Sequence, residues 1–172
     1  MRFLGALVLD AGAYENIEAD RRSAMQSVVV VMAVCAAGGV GAIGFGLTGV
    51  AGFVTGVIVS LGAWLVWAVT IVAIGTGPLA EPQTRSDVPE LLRVLGFSAA
   101  PGVFAAFAAI PPAASIVIVV VVAWMIASAV VAVRQALDYR TTTRAVAVCV
   151  AGAALSIAVV GALALLFSQE VS

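Results

Sequence analysis

The sequence contains no histidine and no lysine; all eight basic residues are arginine. Without lysine there is no Schiff base to an aldehyde cofactor and no Walker-A phosphate loop. Without histidine there is no Ser-His or Cys-His dyad. Two cysteines alone cannot build a zinc site. Charge is scarce as well, at 10% of residues against about 25% in soluble domains. What fills the chain instead is apolar: 63% of its 172 residues are hydrophobic and the mean hydropathy is +1.20. A chain of this size cannot hide so much apolar surface from water, so its solvent is a bilayer. A soluble enzyme, a nucleic-acid binder and a disordered tail are excluded together, and nothing in the sequence calls for a cofactor.

A helix needs about 20 residues to cross a hydrocarbon core about 30 Å thick. Three stretches carry no charge: Ser23 to Ala80, Val94 to Val133 and Ala145 to Gln169. The first two are long enough for two crossings each, the third for one. Gly44, Gly46 and Gly49 mark a turn in the first stretch, and Pro111-Pro112 marks one in the second. The expected spans are Gln26–Leu47, Gly52–Gly75, Val94–Ile110, Ala113–Val133 and Ala145–Phe167. The sequence thus reads as an all-α polytopic membrane protein, a bundle of five transmembrane helices over residues 26–172. The third span is short, Ala-rich and interrupted by Pro101. A start nearer Leu91, with Arg93 snorkelling, would lengthen it, and a shallow re-entrant segment is the competing reading.

With five spans every arginine falls on one face, cytoplasmic by the positive-inside rule. The amino terminus is then inside, the carboxyl terminus outside, and the protein sits in the cell (inner or plasma) membrane. Residues 1–25 are expected to lie in the cytoplasmic interface, with Phe3, Leu4, Leu7 and Val8 in lipid and Tyr14 and Ile17 extending the contact. Met1 to Ala13 also has the outline of a small signal peptide, but its apolar run sits at the bottom of the usual length range. Asp87 to Glu90 reads as a capping box, and Thr141 to Thr143 as a cap for the fifth span.

Candidate functional residues are few. The spans hold no ionisable side chain, which argues against proton relays, voltage sensors and carriers of charged solutes. Gly38, Gly41, Gly52, Gly56 and Ser60 recur at helical spacing and suit close helix packing, within one bundle or against a second copy or another membrane protein. Trp64, Trp67 and Trp124 lie mid-span and suit packing better than an aromatic ligand box. Cys35 and Cys149 suit buried free thiols. Arg21, Arg22, Arg134, Arg140 and Arg144 suit lipid headgroups or a protein partner, with Glu18, Asp20, Asp138 and Tyr139 beside them. Ser98 lacks any base to activate it, and its expected role is a hydroxyl bonded back to its own helix.

Tyr14-Glu15-Asn16-Ile17-Glu18 with Asp20 stands before the first span. Gly96, Phe97, Ser98 and Pro101 open the third, Pro111 follows at the corner, and an Arg-bearing loop leads into the fifth. In order and spacing, from about Asp10 to Phe167, the chain resembles the Yip-domain family, membrane proteins first known as interactors of Rab/Ypt GTPases. Phe97 stands where Tyr is commoner. The resemblance implies five helices, a cytoplasmic amino terminus and no enzymatic activity. The long cytosolic region and Asp-Leu-Tyr-Gly-Pro stretch of eukaryotic members have no counterpart here, so GTPase binding is not carried over. The compact form looks like prokaryotic members. The expectation is a non-catalytic protein that organises the membrane or scaffolds membrane partners, with transport of a small neutral solute as the alternative.

A reporter fused after Ser172 is expected to read as extracytoplasmic, and one placed between Thr76 and Asp87 as cytoplasmic. A cytoplasmic readout at the carboxyl terminus would require an even number of spans or an inverted chain.

Overall fold

The structure, a computed structural model, describes residues 2–10, 12, 14, 17, 23–80 and 88–169. Five helices are long and apolar enough to cross a membrane: Ser23–Phe45 (span 1), Gly49–Gly75 (span 2), Val88–Ala109 (span 3), Pro111–Ala136 (span 4) and Thr142–Val159 (span 5). The helix of span 5 continues to Gln169. A short helix, Arg2–Leu7, precedes them. Each observed span begins two to six residues before its expected start, at Ser23, Gly49, Val88, Pro111 and Thr142. Charge-free runs underestimate helix length for a physical reason. Arg93, Arg134 and Arg144 lie inside helices near their ends, where a long side chain carries its charge to the interface.

Both corners fall where glycine and proline put them. Span 1 tightens into a 3-10 turn at Ala42–Phe45 and closes on Gly46. Gly46 and Gly49 have φ of 87° and 70°, a backbone region open to glycine at little cost. Spans 3 and 4 meet at Ile110, and a 3-10 turn at Pro111–Ala113 leads into span 4. These corners define one end of the bundle. The other end carries Arg93, Arg134, Arg140 and Arg144 and is called the basic end below.

Span 1 packs on span 2, span 2 on span 5, span 5 on span 4, span 4 on span 3 and span 3 back on span 1. The five helices therefore form a closed ring. In the basic half the ring is filled by large side chains: Trp67 and Ile71 from span 2, Leu91, Val94 and Leu95 from span 3, Val133 from span 4 and Val148 from span 5. Tyr139, in the loop after span 4, belongs to this core. It is buried rather than solvated, and its hydroxyl donates to the Gly75 carbonyl at 2.9 Å, satisfying an orphan acceptor at the end of span 2.

Span 3 is neither a continuous α-helix nor a re-entrant stub. It is α-helical over Val88–Ser98 and 3-10 over Ala100–Ala109. At rises of 1.5 and 2.0 Å per residue these two pieces cover about 36 Å, enough to cross the core. Pro101, which lacks an N–H and crowds the preceding turn, sits at the change of helix type. Short and Ala-rich as it is, this span is the most enclosed, with 67% of its membrane window buried against 44% or less for the others. Asp87, the expected cap, lies outside the described residues. Glu90 approaches Arg93 at 3.9 Å on the first turn.

The N-terminal segment also departs from expectation. Ala6, Tyr14 and Ile17 are fully buried within the bundle rather than laid on lipid. The Arg2–Leu7 helix packs over the junction between the α and 3-10 parts of span 3. Two span 4 side chains tie it down. The Trp124 indole donates to the Leu7 carbonyl at 3.1 Å, and the Ser128 hydroxyl sits 2.6 Å from the Tyr14 hydroxyl. Ser128 lies eight residues before Ala136, about 12 Å up the helix. The segment therefore reaches well inside the bundle, where Tyr14 fills space that lipid would otherwise enter.

Burial pushes the Tyr14 phenol up to about 12, with the Ser128 hydrogen bond opposing the shift. Folded, the phenol holds its proton more tightly than the unfolded reference near 10. Stability is therefore unaffected below pH about 10 and declines as pH rises from there through about 12. The tyrosinate absorbance lost on Tyr14→Phe is expected to titrate near 12; titration near 10 would place the ring in water. The same substitution is expected to cost about 1 kcal/mol in detergent unfolding, through loss of one buried hydrogen bond.

Candidate functional site: an apolar cavity inside the ring

The corner half of the ring is not filled. A cavity of about 470 Å³ lies there, lined by residues from all five spans. Its wall holds Gly38 and Gly41 from span 1, Gly56 and Ala63 from span 2, Gly102 and Ala105 from span 3, Val121 and Met125 from span 4, and Ala153 and Ser156 from span 5. No charged side chain lines it. Its two lining serines are Ser60 and Ser156, and Ser156 donates to the Gly152 carbonyl one turn back.

The space exists because the surrounding residues are small, and the same residues bring the helices close. At Gly56 a Cβ would stand 2.8 Å from the Gly39 Cα and 2.8 Å from the Ala42 Cβ. At Gly38 it would strike the Ser60 side chain. Gly38, Gly56 and Ser60 therefore meet at the crossing of spans 1 and 2. Gly41 belongs to a different contact: a Cβ there would strike the Ala105 carbonyl of span 3, and one on Gly44 the Ala108 carbonyl. Gly52 joins neither. It is buried against Leu47, in the corner that precedes its own helix. The small residues thus serve two helix contacts and a turn, not one continuous seam. Such close approaches hold helices by dispersion and CH···O contacts where no hydrophobic drive exists.

Span 3 contributes through a repeat of three rather than the α-helical 3.6. A 3-10 helix repeats every three residues, so Ala99, Gly102, Ala105 and Ala108 form one face, and all four are buried. A Cβ on Gly102 would stand 2.5 Å from the Val34 side chain of span 1. Phe104 and Phe107, also three apart, stack at 6.2 Å, and Phe104 stacks on Trp124 at 5.4 Å. The spacing of small and aromatic residues at exact threes after Pro101 is the signal that finds this stretch.

Trp64 and Trp67 close the cavity toward the basic end. Trp67 packs near Gly152 of span 5, where a Cβ would stand 3.5 Å from its ring. Trp64 lines this cavity and also a second one of about 350 Å³, whose wall includes Ser27, Met32, Leu92 and Arg93. The Trp64 Nε1 is covered and has no hydrogen-bond partner among the described residues. An unmet indole N–H costs about 1–3 kcal/mol, so this wall is held by packing alone.

The remaining sequence candidates lie elsewhere. Ser98 is fully buried and donates to the Leu95 carbonyl at 2.8 Å. A Cβ on Gly96 would strike Ser27, and Phe97 is buried in the core. Pro101 heads the 3-10 stretch and Pro111 opens span 4. Cys35 and Cys149 are buried free thiols. Arg134 and Arg140 are exposed at the basic end and Arg144 half-buried there; Arg21 and Arg22 lie outside the described residues. No cluster of three metal-ligating side chains occurs among the described residues.

Replacing Gly56 with Ile is expected to cost about 1–3 kcal/mol through overpacking at the span 1–span 2 crossing. Val54→Ile, on a side chain exposed toward the bilayer, is expected to change stability by less than about 0.5 kcal/mol. Detergent unfolding measures both, and equal tolerance would remove Gly56 from the helix contact.

No family model, curated protein or solved structure matches this chain.

Proposed function

We propose that the protein is a non-catalytic integral membrane protein that organises the bilayer or scaffolds partner membrane proteins. One observation carries this reading: among the described residues the buried hydroxyls, Ser27 apart, are engaged with the fold. Ser23 donates to Ile17, Thr70 to Val66, Ser98 to Leu95, Ser156 to Gly152 and Tyr139 to Gly75, each to a backbone carbonyl, while Tyr14 and Ser128 pair with each other. A hydroxyl that donates its proton to a carbonyl is not being deprotonated by a base, which a nucleophile requires. The outer faces of spans 1, 2, 4 and 5 are apolar, with Val29, Ile58, Val119 and Val150 among the exposed side chains, and these faces are open to lipid or to another helix.

The Yip-like order of motifs supports the same role, with the amino terminus and the basic end cytoplasmic. Arg134, Arg140 and Arg144 then meet anionic headgroups or a partner, at about 1 kcal/mol for each arginine near such a surface. Neither nucleic acid nor a GTPase is part of this proposal.

Passage of a small neutral solute is the second reading, favoured by the cavity alone. Trp64 lines both cavities, so its indole is the side chain a solute in either would meet. Liposomes containing the protein are expected to show no selective uptake of neutral solutes, and Trp64→Ala is the variant most able to create one; uptake by the unaltered protein would favour transport.

In cells, Ser98→Ala is expected to complement a deletion as well as the unaltered gene, while Arg140→Ala with Arg144→Ala is expected to reduce crosslinking to membrane neighbours, read by mass spectrometry. Loss of complementation by a correctly folded Ser98→Ala protein would count for catalysis instead.

A further inference from the structure

We propose that the corner-half cavity is a lipid-binding site that holds one acyl chain of a lipid in the leaflet on that side. Four observations converge on a hydrocarbon chain. The first is the chemistry of the wall. It carries no charge, and one of its two hydroxyls is already bonded to its own helix. A trapped water needs about 2–4 polar partners, which this wall does not provide. A void would leave the lining atoms without dispersion partners on one side. Hydrocarbon supplies those contacts at no electrostatic cost.

The second is access. Phe45, Leu47, Val59, Val122 and Ile157 line the cavity and are at the same time exposed, so the cavity is open to the surroundings of the bundle. Cavity wall and bilayer-facing surface are continuous, so an occupant enters sideways from lipid.

The third is shape. Along span 1 the wall runs from Val34 to Phe45, about 18 Å by helix rise. A volume of about 470 Å³ spread along that wall is elongated rather than round. This shape suits a flexible chain.

The fourth is depth. The cavity stops at Trp64 and Trp67, near the middle of span 2. Its length is close to one leaflet, half of a core about 30 Å thick. A chain entering from the corner side ends where its leaflet ends. The corner segments Gly46–Gly49 and Ile110–Ala113 are uncharged, so the site selects the chain and leaves the headgroup unread.

Brominated acyl chains quench tryptophan at short range and give the test. The full-length protein, with Trp124 replaced by Phe so that Trp64 and Trp67 report, is reconstituted in phosphatidylcholine bilayers containing rising fractions of dibromoacyl phosphatidylcholine. The reference has the native tryptophans replaced by Phe and Val69→Trp, a position exposed to bulk lipid. The expected result is half-quenching at a several-fold lower fraction of brominated lipid than in the reference. Filling the slot with Ala63→Phe, or blocking its mouth with Val122→Phe, should bring the curve back to the reference while the melting temperature is retained. The proposal is overturned if the filled and open proteins quench alike, or if Trp64 and Trp67 are quenched less than the reference. It is equally overturned if a short brominated alkane quenches them while brominated lipid does not, since the occupant would then be a small free solute. Exchanging phosphatidylcholine for brominated phosphatidylglycerol should leave the curve unchanged; a shift would mean the headgroup is read.

Discussion

In hydrocarbon a backbone that is not a regular helix must be covered by protein, because lipid offers its polar groups nothing. Span 3 breaks that regularity at Ser98–Pro101, and the rest of the structure is arranged around the break. Ser98, Ala99, Ala100 and Pro101 are all buried. Span 1 lies against the 3-10 half through Gly41 and Gly44, span 4 covers it with Trp124, and the N-terminal helix packs over the junction. Tyr14 and Ser128, which bond to each other, hold that cover in place. The 3-10 stretch is ten residues long where about three or four is usual, and it survives because its neighbours enclose it.

The same geometry produces the cavity. A 3-10 face of Gly102 and Ala105, a span 1 face of Gly38 and Gly41 and a span 2 face of Gly56, Ser60 and Ala63 bring backbones close at their crossings but project little into the ring. Large side chains fill the basic half, and the corner half is left open. Packing and site are therefore two consequences of one set of residues. A substitution at Gly56 disturbs both.

The membrane-spanning character, the count of spans and the two corners were legible in the sequence, because charge is expelled from hydrocarbon and Gly46, Gly49 and Pro111 dictate backbone turns locally. The limits of the helices were less so: Arg93, Arg134 and Arg144 are inside helices although their charges are outside lipid. The enclosure of span 3 was not legible because hydropathy ranks exposure to lipid, and a span enclosed by protein does not need to be strongly apolar; small residues at threes serve it better. The burial of Tyr14 was not legible because its partner Ser128 is more than a hundred residues away in sequence. The cavity was not legible at all. A row of glycines specifies close approach, but whether the approach leaves a space depends on what four other helices place opposite.

The central claim is that span 3 is shielded from lipid by its neighbours and by the N-terminal segment. Photolabelling the reconstituted protein with a carbene reagent dissolved in the bilayer, followed by peptide mass spectrometry, measures this directly. The account predicts heavy labelling of spans 1, 2, 4 and 5 at their exposed faces and little over Val94–Ala105. Labelling of Val94–Ala105 as heavy as that of Val119 or Val150 would contradict it.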